Sequence, residues 1–268
     1  NFNSSLPINF KKRAKGVRVI DAENNQSYEY YAKVIFLCSS AVASTSILMQ
    51  SKSNRFPNGM GNDSGELGHN LMDHHFQVGA GGTFEGFKNK KTYGRKPAGF
   101  FIPRFRNIGG VTDRKDFIRG YGYQGGANRG FMSIADSKEE LVSYGPRFKE
   151  NIVKRGDWTA SMGAFGEILP YHDNKMTLNY AKKDKWGLPT VTFDATIREN
   201  EIAMRKDMKE QAEEMLERSG FKDVYGYESK YVFGNGIHEM GTARMGRDPM
   251  TSVLNANNQI HEVKNVYV

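Results

Sequence analysis

A continuous apolar run near the start of the chain constrains the fold more than any other feature. Val34 to Cys38 are all apolar, and the length of the run suits a strand that is buried on both faces. Ser39 and Ser40 follow, and serine favours helix N-caps, so Ala41 to Gln50 are predicted to form a helix. A strand that leads directly into a helix is the basic unit of a nucleotide-binding α/β layer. The sequence therefore predicts such an element here.

Extended segments surround this element on both sides. Before it, runs from Val17 to Asp21 and from Tyr28 to Lys33 flank the turn signal Asn24-Asn25 and predict a hairpin. After it, glycines and aromatic residues are dense between residues 59 and 130. The extended segments that follow are Trp158 to Leu169, Lys175 to Tyr180 and Thr190 to Thr196. Because no regular helices lie between them, these segments predict an antiparallel sheet.

One helix in the second half of the chain is clearly signalled. Thr196 and Glu199 have the spacing of a capping box, and Gly220 stands where the helix should end. Between them, apolar residues recur at helical intervals and predict a face that packs into a core. These residues are Met204, Met208, Ala212, Met215 and Leu216.

The distribution of charged residues and the length of the apolar stretches argue against a nucleic-acid partner and a membrane segment. The formal net charge is +8, but Lys and Arg are scattered, and the one dense run, Lys11-Lys12-Arg13, is short. No helix carries a basic stripe, so no nucleic-acid partner is predicted. No apolar stretch approaches the roughly 20 residues that cross a bilayer, so no membrane segment is predicted. The single cysteine, Cys38, excludes an internal disulfide and leaves the cellular compartment open.

The residue pattern argues against three further kinds of site. Asp73, His74 and His75 invite a metal-binding interpretation, but adjacent histidines on a strand point to opposite faces. No Cys-x-x-Cys or His-Glu-x-x-His completes a metal site, and none is predicted. No Gly-x-Ser-x-Gly occurs, which argues against a serine hydrolase. None of the glycine clusters has the Gly-x-Gly-x-x-Gly spacing that binds a dinucleotide.

The densest chemical signal is the segment from His238 to Gly246, His-Glu-Met-Gly-Thr-Ala-Arg-Met-Gly. An imidazole exchanges a proton near neutral pH, which a general base must do. Judged by residue types alone, a structural histidine that is hydrogen-bonded at a turn is the favoured alternative.

This segment resembles the signature of the glucose–methanol–choline oxidoreductases. The residues after it agree as well: Asp248-Pro249, Ser252 to Asn255 and Val263 to Val268. Three earlier stretches resemble the same family in the expected order: Val34 to Gln50, Gly68 to His74 and Asp184 to Pro189. In that family the histidine faces the flavin ring of FAD and takes the hydroxyl proton of an alcohol while hydride passes to the flavin. The resemblance gives this role to His238.

The resemblance also implies a cofactor contact and an architecture. It places Cys38, Ser39 and Ser40 beside FAD, although the family's turn reads Ala-Ala-Gly and this chain lacks its glycine. The expected fold mixes α+β and α/β. A partial FAD-binding α/β lobe covers residues 1–66, and the chain returns to it in residues 234–268. A substrate domain of antiparallel sheet, with helices on one face, covers residues 67–233. Phe100, Phe101 and Tyr123 are candidates for lining the substrate site, but core or turn packing is the favoured interpretation for each.

Parts of the family pattern are missing from the chain. The family's glycine-rich phosphate-binding motif, its late Asp-Gly pair and the Asn or His that partners the catalytic histidine do not occur. We therefore expect a fragment of a longer flavoenzyme that oxidises a small-molecule alcohol such as a sugar or polyol. By itself the chain is expected to bind FAD weakly or not at all and to be inactive. The alternative is a non-catalytic binding or scaffold domain, against which the intact His-x-x-Gly-Thr segment argues. The substrate, electron acceptor and oligomeric state stay open.

Overall fold

The computed structural model describes residues 13–91, 93–95, 99–129, 145–153 and 155–268. Over this part of the chain the fold is α+β, with helices and antiparallel sheets. The chain divides into two compact units. Unit 1 contains the residues up to Asp73, Leu169–Thr196 and Ile237–Val268, and unit 2 contains His74–Ile168 and Ile197–Gly236. Residues 1–12, which include Lys11 and Lys12 and begin the first predicted lobe, lie outside the described residues.

The elements follow one another along the chain with short strands at both ends. In order they are β1 (Gly16–Ile20), β2 (Ser27–Tyr31), β3 (Ile35–Phe36), α1 (Ala41–Gln50), β4 (Val78–Phe84), β5 (Gly99–Ile102), a 3₁₀ turn (Gly110–Thr112), β6 (Tyr121–Asn128), α2 (Pro146–Val153), β7 (Trp158–Gly166), β8 (Lys175–Lys183), β9 (Pro189–Asp194), α3 (Glu199–Arg218), β10 (Lys222–Glu228) and β11 (Val266–Tyr267). The predicted hairpin near the start is confirmed, because β1 and β2 pair antiparallel. The three predicted extended segments in the second half are confirmed as β7, β8 and β9.

Among its described residues, unit 1 contains two hairpins, one helix and a short parallel pair of strands. β8 and β9 form the second hairpin, and β3 pairs in parallel with β11 from the far end of the chain. Its core gathers residues from all three of its chain segments, including Leu48, Met176 and Ile260. Residues 169–196 thus belong to unit 1, whereas the sequence places them in the substrate domain. The predicted limits at residues 66 and 233 concern functional domains and stay a prediction.

The predicted strand from Val34 to Cys38 is wrong in two respects. Only Ile35 and Phe36 form strand β3, and burial alternates along the run instead of covering both faces. Ile35 and Leu37 are buried, but Val34 is 46% exposed and Phe36 is 68% exposed. β3 has one strand neighbour, β11, among the described residues, so one short pairing covers little of it. An unbroken apolar run indicates a strand but does not by itself report which side chains are covered.

Helix α1 has the predicted bounds but not the predicted cap. The side chain of Ser40, the N-cap residue, makes no capping hydrogen bond, and its backbone has φ 70° and ψ 165°. That conformation is one that glycine adopts readily and serine seldom does. Instead, a side chain inside the helix binds the residue before the N-cap. The Ser44 hydroxyl, buried in the first turn, accepts the Ser39 N–H at 3.3 Å.

Unit 2 is a five-stranded antiparallel sheet with strand order β10-β4-β7-β6-β5. Helix α3 packs against it through the predicted apolar face, since Met204, Met208, Ala212 and Leu216 are buried. The predicted end of the helix is confirmed, because Gly220 has φ +84° just after Arg218. The predicted cap is wrong: the helix begins at Glu199, and the Glu201 carboxylate accepts the Arg198 N–H at 2.9 Å.

Two glycines of β4, Gly79 and Gly81, face tyrosines of the edge strand β10. Tyr225 and Tyr227 pair with Gly81 and Gly79 on β4. A Cβ atom on Gly81 would lie 2.7 Å from the Tyr225 hydroxyl, and one on Gly79 would lie 2.9 Å from the Tyr227 hydroxyl. The Tyr227 hydroxyl reaches further, to donate to the Met162 carbonyl at 3.1 Å. The Tyr225 side chain therefore occupies the space that Gly81 leaves open, whereas at Gly79 the Met162 backbone approaches even more closely than the tyrosine.

Two buried tyrosines tie the sheet of unit 2 to α3. The Tyr121 hydroxyl donates to Asp207 at 2.5 Å, and the Tyr123 hydroxyl donates to the Met208 carbonyl at 2.6 Å. Arg106 donates to the same Asp207 carboxylate at 2.8 and 3.0 Å. Burial raises the pKa of both tyrosine hydroxyls well above its usual value.

These two tyrosines are expected to make unit 2 less stable at alkaline pH. Their pKa is raised in the folded state, so above pH ~10 the unfolded chain releases protons that the folded chain keeps. The stabilisation is complete below that pH, and about 1.4 kcal/mol per tyrosine is lost with each further pH unit. Urea unfolding between about pH 9 and about pH 11 measures this slope. Tyr121→Phe should make it shallower, while Tyr180→Phe, at an exposed site, should not; equal slopes for the two variants would contradict the expectation.

Candidate catalytic segment around His238

His238 lies in unit 1 with its side chain exposed. Its backbone N–H donates to Oδ1 of Asp73 at 3.1 Å, and Asp73 is fully buried. The preceding residue, Ile237, has φ +53°, in the left-handed region. The chain thus turns sharply just before the histidine and presents the imidazole to solvent from a backbone that is held from inside.

The residues after His238 pair with residues 68–72. Met240 and Met72 exchange two backbone hydrogen bonds of 3.0 Å each. Two residues on, the Thr242 N–H donates to the His69 carbonyl at 3.0 Å, and the Thr242 carbonyl accepts from Gly68 at 2.6 Å. Two of the stretches that the sequence singled out are therefore neighbours, and each fixes the backbone of the other.

Gly241 permits the closest approach between these two stretches. It has φ +82°, and a Cβ atom at this position would lie 1.9 Å from the Asn70 carbonyl oxygen. Asn70 is itself buried, has φ 58°, and its side-chain amide donates to Glu66 at 3.3 Å. A side chain at position 241 would meet backbone that cannot move aside, so the glycine of the His-x-x-Gly-Thr pattern is needed for packing.

Thr242 joins the catalytic segment to helix α1. Its hydroxyl lies 2.8 Å from the hydroxyl of Thr45, and both side chains are fully buried. The same hydroxyl is 3.5 Å from the carbonyl of Ala41, the first residue of α1. The predicted cofactor turn and the predicted catalytic segment are in this way connected within unit 1. The sequence had not singled out Thr45, because its partner is distant along the chain.

The remaining residues of the signature brace this part of unit 1. Arg244 donates to the Thr251 carbonyl at 2.9 and 2.7 Å, and it lies 3.6 Å from the Glu66 carboxylate. Further on, the Asn265 amide binds the backbone of Ala14 and of Lys33. These side chains serve the packing of the segment, and His238 is the member of the signature whose exposed side chain is suited to chemistry.

The three candidate cofactor residues lie at the start of α1. Cys38, Ser39 and Ser40 are all exposed. The first turn of α1 carries no acidic residue and receives no side-chain cap from Ser40. Unpaired N–H groups and the helix dipole make such a helix start suited to an anionic group. The resemblance aligns Ser40 with the glycine of the family's turn, and Ser40 has a backbone conformation that glycine adopts readily.

Other candidate residues have different surroundings. Tyr123 is part of the core of unit 2, as favoured from the sequence, whereas Phe100 and Phe101 are exposed. No three His, Cys, Asp or Glu side chains in the described ranges gather in a way that could hold a metal ion. In the same part of the chain, no helix has both the length and the apolar character that crossing a membrane requires.

Two family models match the chain and include the segment around His238. A model of the amino-terminal part of the GMC oxidoreductases matches residues 7–76, and a model of the carboxy-terminal part matches residues 170–268. Together they include the cofactor turn, the stretch from Gly68 to His74 and the segment around His238. The chain belongs to the GMC oxidoreductase family, and the resemblance found in the sequence is confirmed.

Individual relatives are distant but match almost the whole chain. The chain is 26% identical over 261 residues to a 2-methyl-1,2-propanediol dehydrogenase of Mycolicibacterium austroafricanum, a match that spans 96% of the chain and 46% of that protein. It is 26% identical over 255 residues to a paromamine 6'-oxidase of Streptomyces fradiae, across 94% and 43% of the two chains. It is 25% identical over 273 residues to a fructose dehydrogenase large subunit of Gluconobacter japonicus, across 98% and 46%. The chain thus spans about half the length of the curated relatives it matches.

Proposed function

We propose that this chain forms part of a flavin-dependent oxidoreductase that oxidises an alcohol group. The observation that carries the proposal is the exposed imidazole of His238 on a backbone held by Asp73, Met72 and residues 68–69. A general base has to reach its substrate while keeping a fixed position, and this arrangement meets both requirements.

His238 is assigned the transfer of the hydroxyl proton. Its imidazole accepts the proton of the alcohol, which lets the carbon atom that bears the hydroxyl give up hydride. The segment around His238 keeps the imidazole in a fixed position. The backbone of this segment pairs with residues 68–72, and the Thr242 hydroxyl contacts α1. A fixed general base contributes roughly 10²- to 10⁴-fold to a rate of this kind.

The cofactor is proposed to be FAD, which when bound supplies the acceptor for the hydride. The residues present are compatible with such a group: Cys38, Ser39 and Ser40 are exposed at an uncapped helix start. The backbone N–H groups there suit the negative charge of a dinucleotide. We assign unit 1 to cofactor binding and unit 2, with its antiparallel sheet, to the substrate.

The substrate class is proposed to be a small polyol or sugar. The names of three relatives refer to a diol, to paromamine and to fructose, and all three describe dehydrogenases or oxidases. A non-catalytic relative that kept only the fold is the second candidate. Packing explains Gly241 and Thr242 in either case, so the exposed position of His238 within the intact segment is the feature that favours the catalytic candidate.

Anaerobic flavin reduction tests the proposal. The complete flavin-loaded enzyme is mixed, without oxygen, with a panel of diols and sugars, and the visible absorbance of the flavin is followed. At least one alcohol should bleach it, and the same compound methylated at the hydroxyl that is oxidised should not, because that position then has no hydroxyl proton to give. If dithionite bleaches the flavin but no alcohol in the panel does, the proposal is wrong.

A further inference from the structure

Asp73 is a buried carboxylate in the family-like stretch from Gly68 to His74, and the sequence suggested no role for it other than that of a metal ligand, which was rejected. Its side chain is fully buried in unit 1, and Oδ1 lies 3.1 Å from the backbone nitrogen of His238. Its neighbour Met72 makes the last of the paired backbone hydrogen bonds with Met240. Next to that pair, the Asp73 side chain accepts the His238 N–H, a role that a main-chain carbonyl has in a regular strand pair.

The backbone at this point needs such an acceptor. Ile237 is β-branched and has φ +53°, a conformation that costs free energy and persists only where surrounding contacts hold it. A backbone N–H group that loses its acceptor in a partly buried place costs free energy, and the Oδ1 atom of Asp73 provides that acceptor here. The bond from His238 to Asp73 therefore opposes relaxation of the turn one residue after the strained position.

We propose that Asp73 is a positioning residue for the reaction, and that it acts by fixing the backbone from which the imidazole of His238 extends. The inference rests on the proposed role of His238 as proton acceptor. Few bonds separate the His238 nitrogen from the ring, so a shift of that backbone moves the imidazole with it. A displacement of about 1 Å at a reacting group lowers a rate by up to about 100-fold.

The positioning role requires an acceptor at Oδ1 and does not require the negative charge. Asp73→Asn can keep the acceptor, whereas Asp73→Ala removes it. Glu201 offers a matched control, because it is also fully buried and also accepts a backbone N–H, that of Arg198 at 2.9 Å, but in unit 2. Glu201→Ala thus removes a comparable buried carboxylate that accepts the N–H of Arg198 and not that of His238.

Amide hydrogen exchange measures how strongly the His238 N–H group is hydrogen-bonded, and it requires no enzyme turnover. In Asp73→Ala the His238 amide should exchange at least about tenfold faster, since it loses its acceptor, while the Met240 amide keeps its partner at Met72. Asp73→Asn should keep most of the protection, and Glu201→Ala should leave it unchanged. Should the alanine variant fail to fold, Asp73→Ser makes the same comparison, because the shorter serine side chain does not bring its hydroxyl oxygen within hydrogen-bond distance of the His238 N–H.

Kinetics on the complete flavin-loaded enzyme measure the consequence. Asp73→Ala should lower the rate constant of flavin reduction by about 10- to 100-fold and leave KM within about threefold. Asp73→Asn should recover most of the lost rate, and Glu201→Ala should reduce at the wild-type rate. Unchanged exchange of the His238 amide in Asp73→Ala, or equal rate losses for Asp73→Ala and Glu201→Ala, would overturn the inference.

The two proposals fail in different ways. If His238→Ala keeps full activity, the proposed role of His238 falls, while amide exchange still reports whether Asp73 holds this backbone. If His238→Ala is inactive but Asp73→Ala reduces flavin normally, the role of His238 stands and the positioning role of Asp73 is rejected.

Discussion

Replacing His238 by alanine in the complete flavin-loaded enzyme is expected to lower the rate constant of flavin reduction by about 10³-fold. The imidazole is assigned the transfer of the hydroxyl proton, and alanine offers no group that can accept it. The folded structure should be retained, because the side chain is exposed and its backbone N–H bond to Asp73 does not depend on the imidazole. Anaerobic stopped-flow absorbance measures the rate, and added imidazole should restore part of it.

His172 provides the control for this measurement. It is also in unit 1, its side chain is 60% exposed, and it stacks on His69 with ring centres 4.1 Å apart. His172→Ala should change the flavin-reduction rate by less than about threefold, since nothing assigns it a part in proton transfer. A His238→Ala enzyme that reduces its flavin as fast as His172→Ala would rule out the proposed mechanism.

Replacing Gly241 by alanine is expected to destabilise unit 1 by about 3 kcal/mol or more. The added Cβ atom would lie 1.9 Å from the Asn70 carbonyl oxygen, and the backbone at φ +82° disfavours any side chain. Neither partner can yield easily, because Asn70 is buried and its neighbour Leu71 donates its own N–H to Asn174 at 2.8 Å. Urea unfolding of the folded chain measures the loss.

Gly187 separates the two causes of this loss. It has nearly the same backbone conformation, φ +80°, but a Cβ atom there would meet nothing within 4 Å. Gly187→Ala should therefore show the conformational cost alone, about 1 kcal/mol. The difference between the two variants measures the clash with Asn70. If both variants lose the same stability, the close approach does not determine the need for glycine at position 241.

Prediction from sequence succeeded where the signal was local. Helix α1 was predicted with its observed bounds, and the apolar spacing along α3 gave its buried face correctly. The hairpin of β1 and β2 followed from a turn signal between two short extended runs. In each case the interactions that decide the element join residues a few positions apart, so the pattern in the sequence contains them.

Prediction was less accurate where a cap or a neighbour was contributed by another part of the chain. Ser40 was expected to cap α1, but its side chain makes no cap and its backbone takes a glycine-like conformation. The apolar run at Val34 was expected to be buried on both faces, yet β3 pairs with a strand more than two hundred residues later and leaves Phe36 exposed. A residue type reports which roles are possible, and the packed neighbours decide which one is taken.

The sequence alone was sufficient to identify the family, the helix and hairpin positions and His238 as the residue to test, because each depends on a short pattern of residue types. The tertiary structure alone decided how that histidine is held. Asp73 reaches it across 165 residues, and Thr242 meets Thr45 across 197. Contacts over such distances arise only when separate segments pack together, since no local spacing records which buried oxygen will lie beside which backbone N–H.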